Sequence, residues 1–224
     1  MSVLTTVSVP ILTNRLFFPD PRRADGQGLV ALGGELSVPR LLLAYRSGIF
    51  PWTVNPVSWW SPDPRGIFEL DGFHVSRSFA QELRRQRFRI TTNQVFLKVM
   101  EACAAPAPGR RETWITEEFL RAYTELHELG YAHSLECWEG KALVGGIYGV
   151  SIGGLFAAES MFHRVSNASK IALYHLVAHV RERGFRLFDV QMLTPITTQL
   201  GGISIPRQEY LRRLSEAVEC PCVF

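Results

Sequence analysis

Hydrophobic and polar positions divide the chain into an irregular N-terminal part and a regular C-terminal part. Between residues 14 and 63, aromatic residues are interspersed with proline and glycine, which excludes long regular elements. One helix is predicted there, from the Ser37 cap to Gly48, with Pro39 in its first turn. We therefore predict two domains: a small loop-rich N-terminal domain at residues 1–65 and a larger domain at residues 66–224.

Beyond residue 66, apolar positions recur at helical and strand periods. The predicted strands cover residues 67–70, 88–91, 132–138, 141–150, 155–160, 186–190 and 203–205. The predicted helices cover residues 77–87, 93–103, 116–130, 166–184 and 207–217, whereas residues 194–202 are predicted to form a loop. Hairpins and one β–α–β crossover follow from this order. The predicted fold class is α/β of the α+β type, with a largely antiparallel sheet flanked by helices.

Three polar residues stand where apolar strands end. Glu159 follows an apolar strand, and Asp189 and Gln191 alternate, so in an extended segment both side chains point to the same face. A carboxylate and an amide on one sheet face are costly unless they bind something, which indicates a site. Spacing alone leaves open that the two acids serve only as helix caps or ion-pair partners.

Composition and charge narrow the class of protein. The 224 residues are 46% hydrophobic and 20% charged, and the net charge of +3 means that a local patch would have to bind any anionic partner. The four cysteines lack disulfide-framework spacing, the N-terminus lacks a basic signal region, and no apolar run approaches a membrane span. We expect a soluble cytoplasmic protein with no membrane partner.

An arginine stripe and exposed-looking tryptophans indicate a nucleic-acid partner. Arg77, Arg84 and Arg85 lie in one broad stripe of a predicted helix, which is either a solvated face or a set of phosphate contacts. Tryptophans on loops can stack unpaired bases or simply pack the N-terminal domain onto the rest. No signature of a duplex reader is present, so DNA is not predicted as a partner.

Two further motifs are typical of other chemistries. His175 and His179 are spaced as a metal pair on a helix, but no third ligand is evident, so no metal is predicted. Residues 23–28 have the R-x-x-G-x-G pattern with which N-acetyltransferases bind acyl-CoA, but no helix start follows them. An acyl-CoA-dependent N-acetyltransferase and a non-catalytic RNA-binding module remain the alternative hypotheses.

Seven motifs, in order and with few gaps from about Phe18 to Tyr210, resemble the leucyl/phenylalanyl-tRNA–protein transferase family. They lie at residues 28–36, 45–52, 59–65, 145–149, 159–162, 167–170 and 200–207. The resemblance implies a small N-terminal domain and a C-terminal domain similar to the N-acetyltransferase fold. It also implies transfer of Leu or Phe, and less well Met, from Leu-tRNA or Phe-tRNA to proteins with N-terminal Arg or Lys. The product would enter N-degron proteolysis, and neither metal nor other cofactor is implied.

The same resemblance assigns roles to particular residues. Asp189 and Gln191 match the pair that activates or orients the attacking amine, and Glu159 matches an acid that helps to hold the basic substrate. The other matches are Ile147, Phe156 and Met161 for the aminoacyl pocket, Trp52 and Trp114 for the terminal adenosine, and Arg77, Arg84 and Arg85 for tRNA phosphates. We expect the two acids to supply negative charge to the substrate, and the three polar residues to converge beside the pocket.

Overall fold

The computed structural model describes residues 9–106 and 113–224. Its N-terminal part contains a four-stranded sheet in the order β1-β2-β4-β3, which the proline content did not predict. The strands are β1 (Ile11–Leu12), β2 (Leu29–Gly33), β3 (Phe50–Thr53) and β4 (Ser58–Trp60), and a 3-10 helix spans Pro21–Arg23. The predicted helix is confirmed as α1 (Val38–Arg46), where proline is tolerated because first-turn N–H groups lack helical partners.

A seven-stranded sheet, in the order β11-β5-β10-β9-β8-β7-β6, forms the larger part. Its strands are β5 (Arg65–Phe68), β6 (Arg89–Thr92), β7 (Ala132–Glu139), β8 (Ala142–Ile152), β9 (Leu155–His163), β10 (Leu187–Gln191) and β11 (Ile203–Ile205). Strands β5, β7 and β8 each run antiparallel to both of their neighbours, whereas β9 and β10 run parallel to each other. The prediction of a mixed fold with a largely antiparallel sheet and helices on it is confirmed.

Six further helices accompany this sheet within the described residues. They are α2 (Arg77–Arg84), α3 (Phe96–Ala104), α4 (Glu117–Glu128), α5 (Ala168–Glu182), α6 (Pro195–Gln199) and α7 (Arg207–Ala217). The predicted loop at residues 194–202 was wrong because it contains α6, which Thr194 begins with a reciprocal capping box to Thr197. A five-residue helix is too short to show a period in sequence. No helix in the described ranges is long and apolar enough to cross a membrane.

Successive glycines of β8 show that helices cover both faces of the sheet. A Cβ at Gly145 would lie 2.6 Å from the side chain of Ala168 in α5, whereas one at Gly146 would lie 3.3 Å from Val99 in α3. Because neighbouring strand residues point to opposite faces, α5 and α3 lie on opposite sides. Helix α2 packs beside α5 through Phe79 and Tyr174, whose ring centroids are 6.2 Å apart.

The parallel strands β9 and β10 separate, and this opening creates the site. They pair at Leu187–Leu155, Phe188–Phe156 and Asp189–Ala157 and no further. Beyond this point β9 continues along β8, whereas β10 ends after a bulge between Asp189 and Gln191. Gln191 has a φ of +56°, a left-handed conformation that is costly for a residue with a side chain. A gap therefore opens between the strands just past Asp189.

Candidate active site

Glu159 and Gln191 face each other across the gap between β9 and β10. Gln191 Nε2 donates to Glu159 Oε1 at 3.1 Å, and the Tyr45 hydroxyl donates to the same oxygen at 2.8 Å. Tyr45 in turn hydrogen-bonds the hydroxyl of Tyr123. Burial above all, and then the negative charge of Glu159, raises the pKa of both tyrosines, which therefore remain neutral. The neutral hydroxyl of Tyr45, itself held by Tyr123, and the amide of Gln191 thus fix the position of the Glu159 carboxyl.

The free oxygen of Glu159 is available for chemistry. Oε2 has no hydrogen-bond partner among residues 9–106 and 113–224, and the same is true of the side-chain oxygen of Gln191. Burial raises the pKa of Glu159 to about 8; the hydrogen bond from Tyr45 opposes this rise, and the charge of Asp189 adds to it. The carboxyl can therefore take or release a proton near neutral pH.

Asp189 is enclosed by partners rather than directed at the gap. It is fully buried, and Arg65 donates Nε to Oδ1 at 2.9 Å and Nη2 to Oδ2 at 2.5 Å. Tyr210 donates its hydroxyl to Oδ2 at 2.8 Å, and the backbone N–H of Gln191 donates to Oδ1 at 2.8 Å. The expectation that Asp189 gives negative charge to the substrate is wrong, because Arg65 neutralises it. Its contacts instead hold Gln191 in place.

An apolar cavity of about 450 Å³ lies on the α5 side of the gap. We call it the apolar cavity; Ile147, Met161, Leu173 and Ile196 are among its apolar lining residues, and Glu159 and Gln191 lie at its edge. The structure does not bring Phe156 to it. Phe156 is fully buried and stacks on Phe188 at 5.5 Å, because it stands where β9 and β10 are still paired, before the gap opens.

A second cavity, of about 260 Å³, adjoins the first. We call it the tryptophan cavity because Trp52 and Trp114 line it together with Phe50. Both indoles are partly exposed, and each is held edge-on by a neighbouring ring, Trp60 for Trp52 and Phe119 for Trp114. Five residues line both cavities and so form their boundary: Glu159, Val190, Gln191, Met192 and Thr194.

The three predicted arginines lie on the outer surface of α2 and not at the gap. Arg77 and Arg84 are exposed, and neither forms an ion pair with any residue that the structure describes. Arg85 follows the helix and contacts Glu82 at 2.5 Å. Helix α2 therefore presents a partly uncompensated basic surface on the same side of the sheet as the apolar cavity.

Sequence patterns did not identify the residues that support the site. Arg65 ends the aromatic and proline-rich motif at residues 59–65, but an arginine at a strand start is usually exposed. Tyr123 lies four residues after Phe119 on an apolar helix face, a spacing typical of core packing. Tyr45 and Tyr210 lie on similar buried faces of α1 and α7. The signal in the sequence is that each of these three helix faces carries a tyrosine at an apolar position. A tyrosine hydroxyl requires a hydrogen-bond partner when it is buried.

The R-x-x-G-x-G segment does not form a pyrophosphate site of the acyl-CoA type. Residues 23–28 run from the last residue of the 3-10 helix Pro21–Arg23 to the start of strand β2, so no helix N-terminus follows them. Asp25 instead closes a turn by accepting the N–H groups of Gln27 and Leu29 at 2.9 Å each. The observation on which the N-acetyltransferase hypothesis depended is therefore accounted for as local turn structure.

Comparison with known proteins places the chain in a family. Residues 67–215 match the family model described as Leucyl/phenylalanyl-tRNA protein transferase, and residues 34–63 match the model of its N-terminal domain. A leucyl/phenylalanyl-tRNA--protein transferase of Pseudoalteromonas atlantica is 48% identical, covering 94% of this chain and 92% of the relative. A protein of the same name from Tolumonas auensis is 45% identical, covering 96% and 93%.

These matches define an enzyme of the aminoacyltransferase class. The chain belongs to the leucyl/phenylalanyl-tRNA protein transferase family, over most of its length. Among solved structures, that of L-PGS from Bacillus licheniformis covers 74% of this chain and 54% of its own, at 13% identity and a TM-score of 0.41. Similarity at that level carries no conclusion.

Proposed function

We propose that this enzyme transfers leucine or phenylalanine, and less efficiently methionine, from aminoacyl-tRNA to proteins that begin with arginine or lysine. The extended protein would be marked for N-degron proteolysis, in the cytoplasm where charged tRNA is found. The observation that carries the proposal is the meeting of Glu159 and Gln191 at the boundary of two cavities with different linings. Family membership supports the reaction class.

The two cavities suit the two parts of an aminoacyl-adenosine terminus. The apolar cavity accepts the amino-acid side chain, and an apolar lining separates Leu, Phe and Met only weakly, at about 1–3 kcal/mol per methylene. The tryptophan cavity accepts the terminal adenine, since stacking on an aromatic ring contributes about 1–3 kcal/mol per base. The ester between the two parts then crosses the boundary at Glu159 and Gln191.

The reaction needs positioning more than covalent catalysis, because an aminoacyl ester is already activated. The acceptor amine attacks the ester carbonyl, its N–C bond forms, and the ester C–O bond to the tRNA breaks. Gln191 accepts one N–H of the amine through its side-chain oxygen and so orients the amine. The proton that the amine loses passes to the departing ribose oxygen, which leaves as a hydroxyl.

The basic side chain of the acceptor and the body of the tRNA bind to different surfaces. Glu159 as a carboxylate pairs with the N-terminal Arg or Lys side chain while Gln191 orients the amine. Arg77, Arg84 and Arg85 contact tRNA phosphates on α2, where the arginine fork matches two oxygens.

A transfer assay tests the proposed function. Purified protein is mixed with Phe-tRNA carrying labelled phenylalanine and with a peptide that begins with arginine. We expect label on the peptide N-terminus, abolished by ribonuclease and absent when the peptide is N-acetylated or begins with glutamate. Salt-dependent tRNA binding without transfer would instead favour the RNA-binding module, and no transfer from Leu-tRNA or Phe-tRNA would refute the proposal.

A further inference from the structure

A third cavity, of about 290 Å³, lies between α2 and the beginning of α5. We call it the polar cavity; its lining includes His74, Ser78, Asn167, Lys170 and Gln199. Lys170 has no ion pair, and Asn167 and Gln199 have no side-chain hydrogen bond, within the described part of the chain. Within the described residues, the cavity thus presents an ammonium group and two side-chain amides without partners, beside Ser78, whose hydroxyl hydrogen-bonds that of Ser76 at 3.2 Å.

The net charge of the polar cavity is positive because its acidic residue is paired with an arginine. Glu82 also lines it, but Arg85 contacts the Glu82 carboxylate at 2.5 Å and compensates its charge. Lys170 is therefore the uncompensated charge among the described lining residues. An ammonium surrounded by amide and hydroxyl donors binds a phosphate oxygen well, because each of these groups can donate a hydrogen bond.

The polar cavity and the apolar cavity are lined by neighbouring residues of the same two helices, α5 and α6. Lys170 of the polar cavity and Leu173 of the apolar cavity are three residues apart on α5, and residues three apart on a helix are neighbours on its surface. Ile196 and Gln199 repeat this relationship on α6. The exposed arginines Arg77 and Arg84 belong to α2, the helix whose residues Ser78 and Glu82 line the polar cavity.

We propose that the polar cavity is a binding subsite for a backbone phosphate of the tRNA 3′ strand, with Lys170 as its charged ligand. The proposal rests on the proposed function, since that function brings a 3′-aminoacylated strand to the adjoining cavity. One phosphate bound at Lys170 would lie between the arginines of α2 and the reacting ester. The bound phosphate would thereby set how far the single-stranded 3′ end extends towards the gap between β9 and β10.

Direct binding tests this subsite without relying on transfer. Fluorescence anisotropy with deacylated tRNA, over a range of KCl concentrations, is compared for wild type, Lys170→Met, Lys170→Arg and Lys98→Met. Lys98 is exposed on α3, on the opposite face of the sheet, and so is a charge-matched control. We expect Lys170→Met to weaken binding roughly tenfold and to reduce the salt slope by about 0.7–0.9, with Lys170→Arg near wild type.

A phosphate-free substrate separates phosphate binding from a structural role. With 3′-aminoacyl-adenosine as donor, Lys170→Met is expected to react like wild type, whereas with aminoacyl-tRNA its KM rises. Equal losses with both donors would assign Lys170 a structural role and overturn the proposal, as would unchanged tRNA affinity. Inorganic phosphate alone is the third probe. If Lys170→Met loses binding of inorganic phosphate but keeps wild-type affinity for tRNA, the cavity binds a free anion and the proposal is overturned. Absence of transfer by wild type, with tRNA binding lost in Lys170→Met, would refute only the proposed function.

Discussion

Arg65 and Asp189 form a two-pronged ion pair in which neither side chain has appreciable contact with solvent, at 1% and 0% exposure. The residues are 124 positions apart and come from the adjacent strands β5 and β10. Phe50 and Tyr210 cover the guanidinium, with ring centroids 4.9 and 4.4 Å from its central carbon. Because Asp189 Oδ1 also accepts the N–H of Gln191, this pair positions the residue that borders both cavities.

Replacing Asp189 should destabilise the fold as well as lower activity. Asp189→Ala would leave Arg65 buried without its counter-ion. Breaking such a pair costs about 3–5 kcal/mol, which urea denaturation can measure. Glu139→Ala, which breaks the exposed contact with Arg87, is the control and should cost at most about 1 kcal/mol. Wild-type stability of Asp189→Ala would contradict the structural role.

Gln191 can be tested without altering the backbone by using Gln191→Gly. Glycine adopts the φ of +56° freely, so this variant loses only the amide side chain. We expect kcat to fall by roughly 10²–10⁴ with little change in the KM for aminoacyl-tRNA, because a group that steers the amine proton acts in the reaction step. Gln191→Ala should lose the same activity and also some stability, since alanine is strained at this φ. Wild-type turnover by Gln191→Gly would remove the proposed role.

Local sequence patterns predicted the strands of the seven-stranded sheet and two of the residues at the cavity boundary, but not the side chains that hold those two residues in place. Glu159 and Gln191 stand where apolar runs end, so periodicity was sufficient to identify them. Arg65 could not be identified in this way, because its partner depends on β5 lying next to β10, and strand order is not a local property. The family resemblance assigned Phe156 to the pocket, but Phe156 stands where β9 and β10 are still paired and so does not line the cavity.

Ile147 should influence which amino acid is transferred. It faces the apolar cavity from β8, so Ile147→Phe would reduce the space available to a large substrate side chain. We expect the ratio of kcat/KM for Leu-tRNA to that for Phe-tRNA to rise roughly 10- to 100-fold, in line with about 1–3 kcal/mol for each added group in an apolar pocket. Because both kcat/KM values scale with the concentration of folded enzyme, their ratio does not change if part of the variant is unfolded. Ile203→Phe, at a residue 41% exposed on β11, is the matched control and should leave it unchanged.

The protonation state of Glu159 should control recognition of a basic N-terminus. Since burial raises its pKa to about 8, the carboxyl is mostly neutral at pH 7 and becomes an anion as the pH rises past 8. Two acceptor peptides that differ only in an N-terminal arginine or its neutral analogue citrulline share the same amine ionisation. The ratio of their kcat/KM values should therefore rise with pH, by up to about tenfold for each unit below 8. In Glu159→Gln it should stay low and flat, and a pH-independent ratio in wild type would contradict the proposed pairing.

The same raised pKa has a consequence for the free energy of unfolding. The Glu159 carboxyl ionises near its ordinary value of 4.5 in the unfolded chain but only near 8 in the folded protein. Between these values the folded state binds more protons, so its contribution to stability is present below about pH 4.5 and is lost as the pH rises towards 8. Urea denaturation of wild type and Glu159→Gln should show the variant gaining stability relative to wild type from pH 5 to pH 9. A constant difference across that range would show that burial does not hold the proton on Glu159.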